Sequence, residues 1–296
     1  MRLVTFRIGT GREARASAPG ALLEGGRKVA VIPGFESVLE IVEGGPNALD
    51  RASEALKRPP TVFAAENVTL LAPIPYPPQM RDFLCFEKHL VQAFKAIGKN
   101  PPQAWYERPI FYHPSRFSVC GPDAEVPWPR YCEKLDFELE FGCYIGKPGK
   151  DIPKERAREH IFGYTIFNDF SARDEQAKEM AGQLGPGKGK DFDNANAMGP
   201  CLVTADELTD PYRLEMTVRV NGEEWGRGNS RDMHWKFEDC IAHASRSETL
   251  HSGEFFGSGT VGNGCGLEQL RFLKPNDVVE LEVENIGILR NRVVKQ

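Results

Sequence analysis

No apolar run in this 296-residue chain approaches the 18 residues a membrane-spanning helix needs. The start, Met1-Arg2-Leu3-Val4-Thr5-Phe6, reads as a strand and lacks the apolar core of a signal peptide. The expected location is the cytoplasm. A basic excess is also missing: the formal net charge is −5, which disfavours a nucleic-acid partner. The seven cysteines are odd in number, scattered, and form no CxxC pair, so neither a disulfide framework nor a cysteine zinc site is indicated. They read as reduced thiols, several packed as small apolar residues. There is no G-x-S-x-G elbow for a serine nucleophile. His243 and His251 lack H-E-x-x-H spacing. Gly182-x4-Gly187-Lys188 begins like a phosphate-binding loop, but Gly189 stands where Ser or Thr should follow, and a helix precedes it instead of a strand.

What is present is an ordinary globular composition, 41% hydrophobic and 27% charged, and one unusual strand pattern. In Leu135–Ile145 the odd positions (Leu135, Phe137, Leu139, Phe141, Cys143, Ile145) are apolar, and Asp136, Glu138 and Glu140 alternate with them. A period of two is that of a β-strand. Glu138 and Glu140 then share a face, roughly 6–7 Å apart at Cα, within reach of one small cation. A solvated acidic face would give the same pattern. Val279–Glu284 repeats the grammar near the C-terminus and serves as a comparison.

Residues 1–72 read as a small N-terminal accessory domain with short strands at Leu3–Phe6, Ala21–Leu23 and Val29–Ile32 and a helix from Asn47 to Lys57. The segment Ala72-Pro73-Ile74-Pro75-Tyr76-Pro77-Pro78 is too rich in proline for a helix or central strand and marks a boundary. Residues 73–296 are dense in strand patterns: Arg81–Cys85, Ile110–Val119, Leu135–Ile145, Tyr164–Asn168, Cys201–Thr204, Leu214–Val220 and Val278–Val283. Helices are expected at Glu87–Ile97, Pro153–Ile161, Ser171–Met180 and about Asp232–Ala244. Strand and helix do not alternate regularly, so a doubly wound parallel sheet is disfavoured. The expected class is mostly β (α+β), with helices outside the larger domain.

Asp169 ends the Tyr164–Asn168 strand just before Ser171-Ala172-Arg173-Asp174 opens a helix. Such junctions hold functional groups on rigid supports, although a carboxylate there also caps helices. Asp82 repeats the arrangement, and His89 falls in the following helix beside the stripe Phe86, Leu90, Phe94 and Ile97.

Taken in order, Asp82-Phe83-x5-His89, Asp136-Phe137-Glu138-Leu139-Glu140, Asn168-Asp169-x-Ser171-Ala172-Arg173-Asp174-x-Gln176, Lys190-x-Phe192-Asp193 and Gly257-Ser258-Gly259-Thr260 resemble the fumarylacetoacetate hydrolase family over roughly residues 76–296. The resemblance implies a β-roll catalytic domain, usually in a homodimer. It implies Asp82, Glu138, Glu140 and Asp169 as ligands of a divalent cation, magnesium or calcium, with manganese an alternative. Lys190 is the implied site lysine, His89 the catalytic histidine and Glu268 its carboxylate partner. Gln176, Gly259 and Thr260, with the Tyr112–Arg116 segment (Tyr112 and Arg116), are implied on the substrate side. Met180 stands where that family's namesake enzyme has a tyrosine, and Asn194 where it has a threonine.

Four carboxylates round a dication leave a formal −2, partly offset by Lys190. Two like charges about 4 Å apart repel by about 4 kcal/mol at an effective dielectric near 20. Such a site calls for a hard cation with oxygen ligands, and the absence of clustered His and Cys disfavours zinc there. The expected activity is metal-dependent hydrolysis of a carbon–carbon bond in a β-diketo or acylpyruvate-type acid, with His89 activating water. Decarboxylation or isomerisation of a keto acid is the alternative, and a non-catalytic metabolite binder the rival from another class.

Overall fold

The computed structural model describes residues 1–9, 17–96 and 98–295. Ile97, expected to end the helix that begins at Glu87, lies outside the described residues. Two large sheets face each other across a shared core. In the first, order runs from Val62–Ala64 through Lys28–Val31, Ala18–Leu23 and Arg2–Ile8 to Asn196–Thr204, Ile161–Asp169, Leu139–Ile145, Phe255–Gly257, Met80–Phe83 and Phe111–Tyr112. In the second, Glu223–Asn229, Glu215–Val220, Val278–Val283, Gly287–Val294 and Glu125–Pro127 lie side by side. This is the mostly β, α+β class expected from the sequence.

The N-terminal strands are hydrogen-bonded into the first sheet, pairing Arg2 with Val203 and Leu3 with Leu202. Helices Val38–Glu43 and Gly45–Lys57 cover one face of that sheet, where Val38, Ile41, Val42 and Ala52 meet Tyr144, Phe167, Met198 and Phe255. The other face packs on the second sheet through Leu139, Phe141, Cys143 and Ile145 against Val218, Leu281 and Leu289. Each large apolar side chain fully buried in this way contributes roughly 1.5–3 kcal/mol. Leu139–Ile145 is therefore buried along both faces. Val278–Val283 alternates buried and half-buried instead, with Glu282 paired to Arg219 at 2.7 Å on the half-exposed side. The same alternation in sequence serves an interior acidic face in one strand and a solvated one in the other.

Several expected elements differ in detail. The run Leu135–Ile145 divides into Leu135–Asp136, paired with Ser171–Ala172, and Leu139–Ile145. At the break the Phe137 amide donates to Asp136 Oδ1 (2.9 Å) and the Glu138 amide to Asn168 Oδ1 (3.0 Å), so side chains replace the ladder. Ile110–Val119 yields only Phe111–Tyr112 as strand before Pro114, which has no amide hydrogen, and a 3₁₀ turn at Arg116–Ser118. The helix expected from Pro153 is α-helical only over Lys154–Ala157 and tightens into a 3₁₀ turn over Arg158–His160. The one near Asp232 starts at Phe237, where the Asp239 carboxylate accepts the Lys236 amide at 3.1 Å. Strands Glu223–Asn229 and Gly287–Val294 were not legible, since charged residues, asparagines and glycines interrupt their apolar patterns. No helix among the described residues is long and apolar enough to cross a membrane.

Candidate metal centre and active site

Three strands of the first sheet and the segment that leads into one of them deliver four carboxylates to one point. Asp82 comes from Met80–Phe83, Glu140 from Leu139–Ile145 and Asp169 from the end of Ile161–Asp169, and Glu138 from the break just before Leu139. Each offers an oxygen within 4.8 Å of the others, and all four residues are buried, Glu140 and Asp169 completely. Two glycines make room for Asp82. A Cβ on Gly257 would lie 2.3 Å from Asp82 Oδ1, and Gly259, at φ +72°, donates its amide to the same oxygen at 3.2 Å. Asp136, the third acidic residue of the alternating run, leaves the cluster because the strand breaks after it. It accepts the Gly266 and Leu267 amides (2.8 and 2.9 Å) and Arg173 Nε (2.8 Å).

The cations are placed asymmetrically. Lys190 Nζ donates to Glu138 Oε2 and Asp169 Oδ2, both at 2.6 Å, and Arg173 pairs with Glu138 Oε1 at 2.8 Å. Burial alone would raise the Glu138 pKa, but Lys190 and Arg173 outweigh it and hold this carboxyl well below its ordinary range. Asp82 and Glu140 are pushed well above theirs, first by burial and then by the neighbouring carboxylates, Asp169 for Asp82 and Asp82 for Glu140. Asp169 rises to about 6, burial again leading and Lys190 opposing. Burial works against the charge of Lys190, and Asp169 and Glu138 keep it on.

Glu140 Oε2 and Asp169 Oδ1 are buried acceptors with no hydrogen-bond partner. Orphaned oxygens are costly, and a hard divalent cation with oxygen ligands would satisfy both while removing the repulsion that adds to burial in raising three of the four pKa values. The donor set fits such an ion and contains no sulfur or nitrogen.

Beside the carboxylates, His89 Nδ1 lies 3.0 Å from Glu268 Oε1, while Glu268 Oε2 accepts the Cys265 amide at 3.2 Å. The two regions adjoin through the bridge that pairs Glu138 with Cys265. The other residues singled out in the sequence are placed as follows. Thr260 Oγ1 is 3.5 Å from Glu140 Oε1, and Gln176 Oε1 accepts from Arg173 Nη1 at 3.0 Å. The Tyr112 hydroxyl donates to Asp169 Oδ2 at 2.6 Å, so it belongs to the carboxylate network. Arg116 donates to the Tyr76 carbonyl at 3.4 Å. Met180 is 53% exposed, and Asn194 donates to the Glu125 carbonyl, so neither lines the carboxylates. Sequence reasoning missed Arg173 and Asp136 as parts of this network. The only local signal was a charged pair flanking the strand break and the helix start.

Fold and site together define an enzyme class built round a buried, oxygen-lined place for a divalent cation, with a histidine–carboxylate pair at its edge. Residues 79–294 match the family model described as fumarylacetoacetate (FAA) hydrolase C-terminal, and the chain belongs to that family. It is 34% identical over 300 residues to the Xenopus laevis protein named oxaloacetate tautomerase fahd2, mitochondrial, covering 99% of this chain and 90% of the relative. A second relative, oxaloacetate tautomerase YisK of Bacillus subtilis, is 31% identical over 276 residues, covering 90% of this chain and 88% of the relative. Among solved structures, a fumarylacetoacetate hydrolase from Exiguobacterium antarcticum superposes with a TM-score of 0.79 at 27% identity, covering 99% of this chain and all of the other. A probable 2-hydroxyhepta-2,4-diene-1,7-dioate isomerase from Mycobacterium abscessus gives the same TM-score and identity over 100% and 99% of the two chains.

Proposed function

We propose that this protein is a divalent-metal-dependent tautomerase of a small 2-keto dicarboxylic acid, oxaloacetate being the first candidate. The expectation from sequence put carbon–carbon hydrolysis first. One observation moves isomerisation ahead and carries the reading: curated relatives over nearly the whole chain are named oxaloacetate tautomerases. The His89–Glu268 pair beside the carboxylate cluster supports proton transfer next to a cation, which either reaction needs.

Asp82, Glu138, Glu140 and Asp169 would hold the cation, with magnesium preferred and calcium or manganese acceptable to the same oxygen set. When bound, it supplies Lewis-acid polarisation of a keto or enolate oxygen. The chain's own groups do the rest. Glu268 fixes the His89 tautomer and orientation through Nδ1, leaving Nε2 to take a proton from, or return it to, the carbon next to the keto group. Lys190 and Arg173, each locked between carboxylates, present fixed positive charge toward oxygen where negative charge develops. Gln176, held by Arg173, and Thr260, next to Glu140, orient the substrate from the edge. We take the working unit to be a homodimer, which light scattering at micromolar concentration would check.

The second reading is hydrolysis of an acylpyruvate, in which His89 passes its proton relay to water. The carboxylate-oriented histidine favours it, because a general base is what an attacking water needs. One experiment separates the two. Enol oxaloacetate and a panel of acylpyruvates are followed by ultraviolet absorbance with magnesium and with chelator. Accelerated enol loss without carbon–carbon cleavage is the expected result. Cleavage of an acylpyruvate with no effect on the oxaloacetate enol would replace this reading by the hydrolase one.

A further inference from the structure

Next to the oxygen-only cluster lies a second, chemically opposite set of donors. His89 Nδ1 faces two partners at once: Glu268 Oε1 at 3.0 Å and Cys265 Sγ at 3.9 Å. One nitrogen, one sulfur and one carboxylate oxygen lie mutually within 4.8 Å. In a tetrahedral zinc site, bond lengths of about 2.0–2.3 Å put neighbouring N, O and S ligands roughly 3.3–3.6 Å apart. The two separations from His89 Nδ1, 3.0 and 3.9 Å, straddle those values, and all three donors lie within 4.8 Å of one another, so modest side-chain shifts bring the set to three corners of a tetrahedron.

We propose that Cys265, His89 and Glu268 form a binding site for a borderline-soft dication, zinc(II), distinct from the carboxylate site and inhibitory when filled. Three features of the fold support it beyond the donors. The turn that carries Cys265 and Glu268 is preset: Asp136 accepts the Gly266 and Leu267 amides, and the Cys265 amide holds Glu268 Oε2. Cys265 is 1% exposed and His89 6%, so the ligands are fixed by packing instead of swinging in solvent. Finally, the two donor sets sort cations by hardness, since thiolate and imidazole select zinc over magnesium while four carboxylates select magnesium.

Binding releases the Cys265 thiol proton to solvent as the sulfur–zinc bond forms. The His89 proton takes the Nε2 position, freeing Nδ1 to ligate. A fourth position is left for water. Zinc thereby removes His89 from proton transfer whichever reaction the carboxylate site supports. The proposal does not depend on the tautomerase reading.

The test uses reduced, full-length protein saturated with magnesium. Cobalt(II) is added as a spectroscopic stand-in for zinc, and zinc affinity is measured by calorimetry. A sulfur-to-cobalt charge-transfer band in the near-ultraviolet is expected for the parent and for Glu138→Gln, and is expected to vanish in Cys265→Ala. Zinc affinity should fall by at least about 100-fold in Cys265→Ala, since losing a direct ligand costs more than the roughly 10–100-fold that losing a ligand's own hydrogen-bond partner costs. Cys265→Ser serves if the alanine variant does not fold. Absence of the band in the parent, or equal zinc affinity in the cysteine variants, would overturn the proposal and send the zinc to the carboxylates.

Discussion

Replacing Glu140 by glutamine tests the carboxylate centre through two effects of different kind. If all four carboxylates were ionised without a cation, Glu140 would face three others at no more than 4.8 Å. Each pair would repel by about 3–4 kcal/mol at an effective dielectric near 20, and Lys190 bonds two of the other carboxylates and not Glu140. The protein avoids this by raising the pKa values of Glu140, Asp82 and Asp169. Burial and the neighbouring carboxylates make Glu140 hold its proton more tightly in the metal-free centre, and Glu140→Gln exchanges the carboxyl for an amide of nearly the same shape. Metal-free stability should change by less than about 1 kcal/mol.

With a cation the variant should behave quite differently. Magnesium at 100 times its dissociation constant stabilises the parent by about 2.7 kcal/mol, or about 4 °C in melting temperature for a chain of 296 residues. Glu140→Gln should lose most of that shift, whereas Glu282→Gln, on the half-exposed strand, should keep it. The sign of the pH dependence follows from Asp169. A carboxyl with a raised folded pKa contributes stability below its unfolded value, about 4, and that contribution is lost as pH rises through about 6. The metal-free parent should therefore weaken from about pH 4 to about pH 7, and the magnesium shift should grow over the same range. Differential scanning fluorimetry of chelator-treated protein, with and without magnesium across that range, reads both effects. A parent that ignores divalent cations, or a Glu140→Gln variant that shifts as much as the parent, would refute the reasoning.

Three further outcomes follow from the same network. His89→Ala should lower kcat by about 10²–10⁴-fold, the size of a general-base contribution, while calorimetric magnesium affinity stays near the parent's. Lys190→Met leaves Glu138 and Asp169 buried without their shared cation, so metal-free protein should lose about 3–5 kcal/mol in denaturant titrations, and magnesium should restore part of it. Asp136→Asn weakens the tie between Arg173 and the Glu268 turn. It should lower kcat about tenfold with little change in KM, and unchanged kcat would deny the turn any role in setting His89.

What the sequence determined by itself was chiefly pattern and identity. The alternation over Leu135–Ile145 was enough to predict a strand with Glu138 and Glu140 on one face, because side chains on a strand alternate whatever the strand packs against. The order of short motifs from Asp82 to Thr260 was enough to point to the family. Pattern alone could not say which acidic strand face was interior, since Val278–Val283 carries the same alternation. Burial decided that, by placing Leu139–Ile145 between two layers and leaving one face of Val278–Val283, the central strand of the second sheet, turned towards solvent.

The tertiary structure alone determined convergence. Asp82 and Glu140 are 58 residues apart in the chain, and they meet because Phe255–Gly257 lies between their strands, pairing Gly257 with both Asp82 and Gly142. The loop that carries Glu268 could be aligned only loosely from sequence, but Asp136 fixes it by accepting two of its amides. The break after Asp136 frees that carboxylate to do so. It also explains why only two of the three acidic residues in the run face the cation site: ladder hydrogen bonds depend on partners distant in sequence, and here Asn168 supplies a side chain in their place.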